Sequence, residues 1–221
     1  METQVTKQEM AWAGEVGRRY TDRNILTATE LDQLYLECFG TTRWSLNERF
    51  LFGVPYDAQI LEVGCNIGMQ LRHLQQEGYR NLRGIELQQY AIDNKVVDVP
   101  IDLGSAEKLP YEDNSFDLVY TSGVLIHLPE STLAVNNTLY RAVQEIARVS
   151  RKWIWGFEYF ASPREEIRDR NWQDMLWADD YPTYFLWWIG NGLHLVRRWS
   201  EPYHGHLSGT VADMYLLEKT I

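Results

Sequence analysis

Cysteine is scarce: Cys38 and Cys65 are the only two thiols in 221 residues. They show neither CxxC spacing nor the density of a secreted disulfide scaffold, so a reducing, cytoplasmic setting is expected. Long apolar runs are missing too. No window approaches the roughly 18 residues of a membrane span, and the opening METQVTKQEMAW has no apolar segment resembling a secretory signal, so no membrane partner is expected. Basic residues are outnumbered, 21 Lys and Arg against 31 Asp and Glu, for a net charge of −10. Without a run of Lys or Arg there is no positive field for nucleic acid, and a small-molecule ligand is the better expectation. Repeats, low-complexity tracts and Gly/Ser/Pro linkers are also absent, which argues for one domain with an N-terminal cap.

What is present is aromatic bulk and a regular alternation. Nine tryptophans and 13 tyrosines occur, many late in the chain, and such side chains fill cores and line pockets equally well. From Gln59 onward, strand-like and helix-like stretches take turns. QILEVG, NLRGIEL, VPIDLG, FDLVYTS and KWIWGFEYF read as strands, and LHLVRRW with VADMYLLEK as a late pair. Helices are expected over Ile67 to Gln76, in QQYAIDNKV, and over Thr132 to Val149, where Leu133, Leu139, Val143, Ile146 and Ala147 form one stripe and Ser131 is the expected cap. This order predicts an α/β fold: a Rossmann-like, doubly wound sheet of seven mainly parallel strands with a late antiparallel strand. Its ligand belongs at the carboxyl ends of the strands.

The first strand runs into Gly64, Cys65, Asn66, Ile67 and Gly68 before a helix begins. Glycines there let backbone approach a ligand, and the helix start offers free N–H groups. Glu86 ends the second strand 24 residues after Glu62, close to the offset of about 20 at which a carboxylate accepts both ribose hydroxyls. The pair implies an adenosine-containing ligand. Pyrophosphate is poorly served, because the middle and last glycines of G-x-G-x-x-G are absent. Asn66 is the non-glycine residue that best tolerates a left-handed backbone, so the turn survives. Taken alone, the two glycines fit a plain strand-to-helix turn equally well.

The blocks ILEVGCNIG, GIEL, SAEKLPYEDNSFDLV and SGVLIHL, in this order from about Gln59 to Ser150, resemble the class I methyltransferases that use S-adenosylmethionine. WAGEVGRRYTDRN, GCNIGM, GVLIHL, EYF and DMYLLEK extend the likeness toward both ends and resemble the pseudaminic acid biosynthesis-associated methylases, a group linked to the assembly of bacterial nonulosonic acid sugars. The resemblance implies S-adenosylmethionine as cofactor, with S-adenosylhomocysteine as product. It implies that Gly64 and Gly68 admit the methionine part, that Glu62 orients its ammonium and that Glu86 takes the ribose hydroxyls. Ser105 and Ala106 border the adenine, with serine standing where many relatives carry Asp. Ser122 and Gly123 floor the sulfonium.

For the catalytic side two readings stand at each residue. His127 has the ordinary pKa of a base near neutrality, and equally suits a histidine packed under the cofactor. Glu158, among aromatics that would raise its pKa, is either a proton acceptor or a hydrogen-bonder, and Tyr159 follows it on the acceptor edge. Before residue 59, two amphipathic helices are expected near Thr29 to Phe39 and Thr42 to Phe52, with Thr29 as cap. These assign residues 1–54 to a helical lid and 55–221 to the methyltransferase domain, with an aromatic-rich insertion at about 162–193. Arg23 is the candidate for the methionine carboxylate and Tyr20 for covering that end, against a plain surface pair of Asp22 with Arg23. Trp172, Trp177, Tyr181, Tyr184, Phe185, Trp187 and Trp188 suit an acceptor-pocket cap, the core of that cap, or an oligomer contact. His194, His204 and His206 lack supporting ligands, so no metal is expected. Methyl transfer to an O or N atom of a small acceptor follows, possible acceptors being a nonulosonic acid sugar or its precursor, or a natural-product hydroxyl or amine. A non-catalytic binder of the cofactor is the other class of reading.

Overall fold

Ile60 and Leu61 are adjacent in sequence and both fully buried, as are Leu118 and Val119. Since successive strand residues point to opposite faces, a strand buried at every position needs a layer on each side. The computed structural model, which describes residues 6–129, 137–168, 173–204 and 209–220, has those layers. Four helices lead: α1 (Lys7–Ala13), α2 (Glu15–Arg23), α3 (Ala28–Phe39) and α4 (Arg43–Leu51). Then come β1 (Gln59–Val63), α5 (Met69–Glu77), β2 (Asn81–Glu86), α6 (Gln89–Asp93), β3 (Ile101–Leu103) and β4 (Phe116–Ser122). The second half holds α7 (Thr138–Val149), β5 (Ser150–Phe160), a small antiparallel pair of β6 (Glu165–Glu166) and β7 (Trp177–Ala178), α8 (Tyr181–Ile189), β8 (Leu193–Pro202) and β9 (Val211–Lys219).

The seven-stranded sheet has the order β3-β2-β1-β4-β5-β9-β8. Strands β1 to β5 are parallel, and β9 runs antiparallel to both β5 and β8. The expected fold class is therefore the observed one. Chain order reverses between β1 and β4, so their carboxyl ends flank the crevice where this architecture takes ligands. One core, including Leu46, Phe50, Leu71, Tyr120, Trp155 and Met214, lies between the sheet and α3, α4 and α5. The other, including Val63, Leu139, Val143, Ile146, Phe185 and Tyr215, lies under α7 and α8. Each wholly buried Leu or Ile contributes up to roughly 1.5–3 kcal/mol, so the α7 stripe alone fixes that helix on the sheet.

The structure refines several local expectations. Helix α3 is capped by Thr27, whose side chain accepts from Glu30 N while the Glu30 carboxylate returns to the Thr27 N–H. Thr29, the expected cap, sits inside the helix, because the Thr-x-x-Glu reciprocal pair starts at Thr27. Helices α1 and α2 add to the expected N-terminal pair, α1 being capped by a second such box, Thr6 with Glu9. The QQYAIDNKV helix is only five residues long. Asn137 caps α7, accepting from Tyr140 N, and the expected Ser131 cap and Leu133 lie outside the described residues. The aromatic stretch divides: Tyr181 and Phe185 join the core beneath α8, Tyr184 stacks on Trp188 at 4.6 Å, Trp187 is exposed, and Trp172 lies outside the described residues. Among the described residues no helix is long and apolar enough to cross a membrane.

Candidate functional site

The loop after β1 turns by three left-handed residues, Gly64 (φ 73°), Asn66 (φ 48°) and Gly68 (φ 81°), so asparagine takes the conformation its side chain best tolerates. Gly64 is also sterically required, since a Cβ there would stand 2.6 Å from Val124 Cγ2. Glu86, at the end of the neighbouring strand, anchors the loop by accepting from Asn66 N at 2.8 Å and from Gln88 N at 2.9 Å. Burial raises its pKa, and these backbone N–H groups partly offset that. The loop and the strand-end carboxylate thus form one rigid unit.

Glu62 lies one layer deeper, 2 % exposed, and accepts the Tyr120 hydroxyl at 2.9 Å. Burial pushes its pKa up to about 8, the Tyr120 hydrogen bond and the Arg43 charge opposing. Arg43, which sequence reasoning missed, starts α4 and has no measurable exposure. Its guanidinium is framed by the rings of Tyr35, Trp155 and Phe157 at 5.0–5.4 Å. It donates to Asn47 Oδ1 (2.9 Å), Tyr35 Oη (2.8 Å) and Ser122 Oγ (3.3 Å). No carboxylate comes within 4.0 Å of it among the described residues. A buried cation facing hydroxyls and an amide, beside a carboxyl whose pKa burial raises to about 8, is a costly arrangement by itself.

Ser122 ends β4 and Gly123 follows with φ 68°. The next turn carries His127 and is held by Glu158, 2 % exposed, which accepts Val124 N at 3.0 Å and Ile126 N at 3.4 Å. Burial pushes Glu158 up to about 7, with the Thr121 hydroxyl and these N–H groups opposing. Its oxygens are committed to the turn. His127 Nδ1 lies 2.9 Å from the Met175 carbonyl, so Nδ1 carries the hydrogen and Nε2 the lone pair, and burial lowers its pKa to about 4. The Trp12 ring covers it at 4.3 Å. Tyr159 faces Tyr203 at 6.0 Å, and burial keeps its phenol protonated.

Helices α1 and α2 are fastened to segments on both sides of β1 and β4. Gln88 Nε2 donates to Trp12 O and Gly14 O, Asn66 Nδ2 to Thr21 Oγ1, and Gln8 Nε2 to Asp174 O. Ser105 Oγ, past the end of β3, donates to Glu9 Oε1 at 3.0 Å, and Ala106 packs beside it against the core under β2. Tyr20 is 38 % exposed over the whole residue, yet desolvation of its phenol first, and then Tyr35 and Glu86, push it up to about 12. Arg23 ends α2 exposed, and its neighbour Asp22 accepts the Tyr90 hydroxyl at 2.8 Å instead of pairing with it. Tyr20, Glu62, Glu86 and Arg23 lie within electrostatic reach of one another, Asn66 is bonded to Glu86, and Arg43 is bonded to Ser122 at the end of β4. Gln88, Thr21 and Glu9 were missed as well. Of these only Glu9 had a readable signal, as the far end of a capping box.

Residues 61–152 match the family model described as a methyltransferase domain. The 24-methylenesterol C-methyltransferase 2 of Arabidopsis thaliana is 26 % identical over 53 % of this chain and 35 % of its own. The cycloartenol-C-24-methyltransferase 1 of Oryza sativa subsp. japonica is 32 % identical over 38 % and 28 %. The chain spans about a third of the length of these curated relatives. Among solved structures, the [4+2]-cyclase SpnF superposes with a TM-score of 0.65 at 14 % identity, covering 93 % of this chain and 96 % of that one. A SAM-dependent methyltransferase of Methanosarcina mazei gives 0.61 at 14 % identity, covering 80 % and 97 %. Those likenesses show the fold. The family match places a methyltransferase domain over residues 61–152, and S-adenosylmethionine is the cofactor such a domain implies.

Proposed function

We propose that this chain is an S-adenosylmethionine-dependent methyltransferase acting on an oxygen or nitrogen atom of a small-molecule acceptor. The observation that carries the reading is the pair of buried, unneutralised groups, Arg43 and Glu62, below a glycine loop whose neighbour Glu86 stands at ribose distance along the chain. These residues fit a nucleoside joined to an amino acid: Glu86 for the ribose, Glu62 for the ammonium, and Arg43, in place of Arg23, for the carboxylate. Bound there, the cofactor supplies an electrophilic methyl group and a neutral leaving group.

The protein's part is then alignment and exclusion of water. Helices α1 to α4, within residues 1–54, act as the lid over the domain formed by 55–221, and Trp12 seals the crevice against His127. His127 takes the acceptor's proton at Nε2. A low basicity suffices, because the proton leaves an atom that is becoming cationic as it is alkylated. Glu158 positions the turn that holds His127, and Tyr159 lines the acceptor side with Tyr35, Phe39 and Tyr203. This lining suits the apolar face of a sugar ring. Together with the sequence's resemblance to the pseudaminic acid-associated methylases, it supports a nonulosonic acid sugar or its precursor as acceptor; it also suits an aromatic natural product. Two buried free thiols, Cys38 and Cys65, agree with a cytoplasmic setting.

Calorimetry with S-adenosylhomocysteine, NAD and ATP tests the proposal. The first should bind most tightly, and Glu86→Ala should weaken it by about 1.5–3 kcal/mol, the usual worth of hydrogen bonds to a charged partner. Preference for NAD, or an unchanged affinity in the variant, would remove the basis of the assignment.

A further inference from the structure

The crevice described above lies at the carboxyl ends of the parallel strands. A second cleft, of about 360 Å³, opens at their amino ends, lined by α4 and by the segments that lead into β1 and β2. That volume suits a small molecule. Aromatic rings form its walls: Phe52 is 78 % and Tyr56 60 % exposed, Trp44 stands half-bare on α4, and Tyr56 meets the buried Tyr79 at 5.1 Å. The charges are one-sided. None of the lining residues is basic, and two of them, Glu48 and Glu77, are carboxylates. The Glu77 side chain is only 6 % exposed. Its Oε1 accepts from Asn47 Nδ2 at 2.8 Å and lies 2.9 Å from His73 Nδ1, while Oε2 takes no hydrogen bond among the described residues. His73 also lies 3.3 Å from Asp32 Oδ1, so even a charged imidazole supplies one positive charge between two carboxylates.

Backbone electrostatics add to the same sign. Glu77 is the last residue of α5, where the helix dipole favours a cation, and α5 has no basic residue in its last turn. Helix α4 shows how such an end is satisfied, since Arg197 donates to the carbonyls of Phe50 and Phe52 there. Across the cleft the Glu77 charge reaches Tyr79, whose pKa is raised by burial first and by Glu77 next. We propose that this cleft binds an organic ammonium ion, with its N–H groups on Glu77 and Glu48 and its hydrocarbon part on the rings of Trp44, Phe52 and Tyr56. Ring faces attract a cation and cover its alkyl or aryl stem, and a largely buried carboxylate oxygen gains a charge-assisted hydrogen bond. An anion there meets two carboxylates and a helix end of its own sign. The site goes beyond the proposed function and stands whether or not the crevice at the other end of the sheet takes S-adenosylmethionine.

The test is an NMR titration at pH 7 with phenethylamine, 2-phenylethanol and 3-phenylpropionate, which share a phenylethyl group and differ in charge. Wild type should bind the amine roughly tenfold or more tightly than the alcohol, the scale of a hydrogen bond to a charged group, and the carboxylate most weakly. Glu77→Gln, which keeps an acceptor for Asn47, should remove most of that preference. Tyr56→Ala, at an exposed position, should weaken the amine by about two- to fivefold, the worth of one cation–ring contact, and serves alone if Glu77→Gln does not fold. Glu165→Gln removes an equal charge from the exposed strand β6 and should leave amine binding unchanged. If it acts as strongly as Glu77→Gln, the protein merely attracts any cation through its net charge, and the proposal is overturned. Equal affinity of wild type for amine and alcohol, no binding of the amine, or unaltered amine binding in the Glu77 and Tyr56 variants would overturn it too.

Discussion

Replacing Glu62 by glutamine isolates the most unusual titration in the protein. In the unfolded chain a glutamate releases its proton near pH 4.3, whereas in the folded protein burial holds the Glu62 proton to about pH 8. The folded state therefore binds this proton more tightly. Its contribution favours folding most below about pH 4.3, is lost progressively as pH rises through the window up to about 8, and is flat above that. Integrated from low pH to pH 7, the loss is about 3–4 kcal/mol, a sizeable share of the 5–15 kcal/mol by which domains are stable. The amide introduced by Glu62→Gln would mimic the protonated carboxyl and keep an acceptor for the Tyr120 hydroxyl. It cannot titrate. Urea unfolding at several values between pH 5 and 8 should show wild type losing stability more steeply than Glu62→Gln, by about 3 kcal/mol over that range. Absolute stabilities carry the extra cost of burying an amide, so the slope is the quantity to compare. Glu158, pushed up to about 7, acts in the same sense in both proteins and leaves a shared residual slope. Parallel pH profiles for the two proteins would refute the claim that burial keeps Glu62 protonated at neutral pH.

Two other substitutions probe the same floor and rim. Arg43→Met should weaken S-adenosylhomocysteine by roughly 10- to 100-fold, the loss of a charge-assisted contact, without lowering the unfolding midpoint of the ligand-free protein in proportion, because a buried uncompensated cation is removed; unchanged affinity by calorimetry would reassign the carboxylate to another residue. Gly64→Ala combines a left-handed backbone with a Cβ 2.6 Å from Val124, and should destabilise the protein by about 1–3 kcal/mol in thermal unfolding; a neutral effect would mean that the loop relaxes.

Much of the fold is written locally. Strand β4 and strand β9 begin and end where apolar patterning places them, Asn66 takes the left-handed turn expected of it, and Glu86 ends β2 beside the loop. Period-two and fully apolar stretches are properties of neighbouring residues, so they can be read without knowing the rest. The cap of α3 was equally readable, since Thr27 and Glu30 stand three apart, yet Thr29 is the more tempting residue because it lies closer to the apolar run. The hydrogen bonds that fasten α1 and α2 were not readable. Gln88 and Thr21 are 67 positions apart and Ser105 and Glu9 are 96 apart, and each looks like an ordinary polar residue until the chain folds.

The sequence by itself determined the parallel sheet, the glycine loop and the carboxylate that ends β2, because hydrophobic spacing and backbone conformational preference act over a few residues. Tertiary structure alone decided that Arg43 lies buried with no carboxylate within 4.0 Å among the described residues, that burial raises the Glu62 pKa and that Glu158 is committed to holding a turn. Those properties come from desolvation and from which partners arrive across long stretches of chain, and neither quantity exists for a residue until its surroundings are assembled.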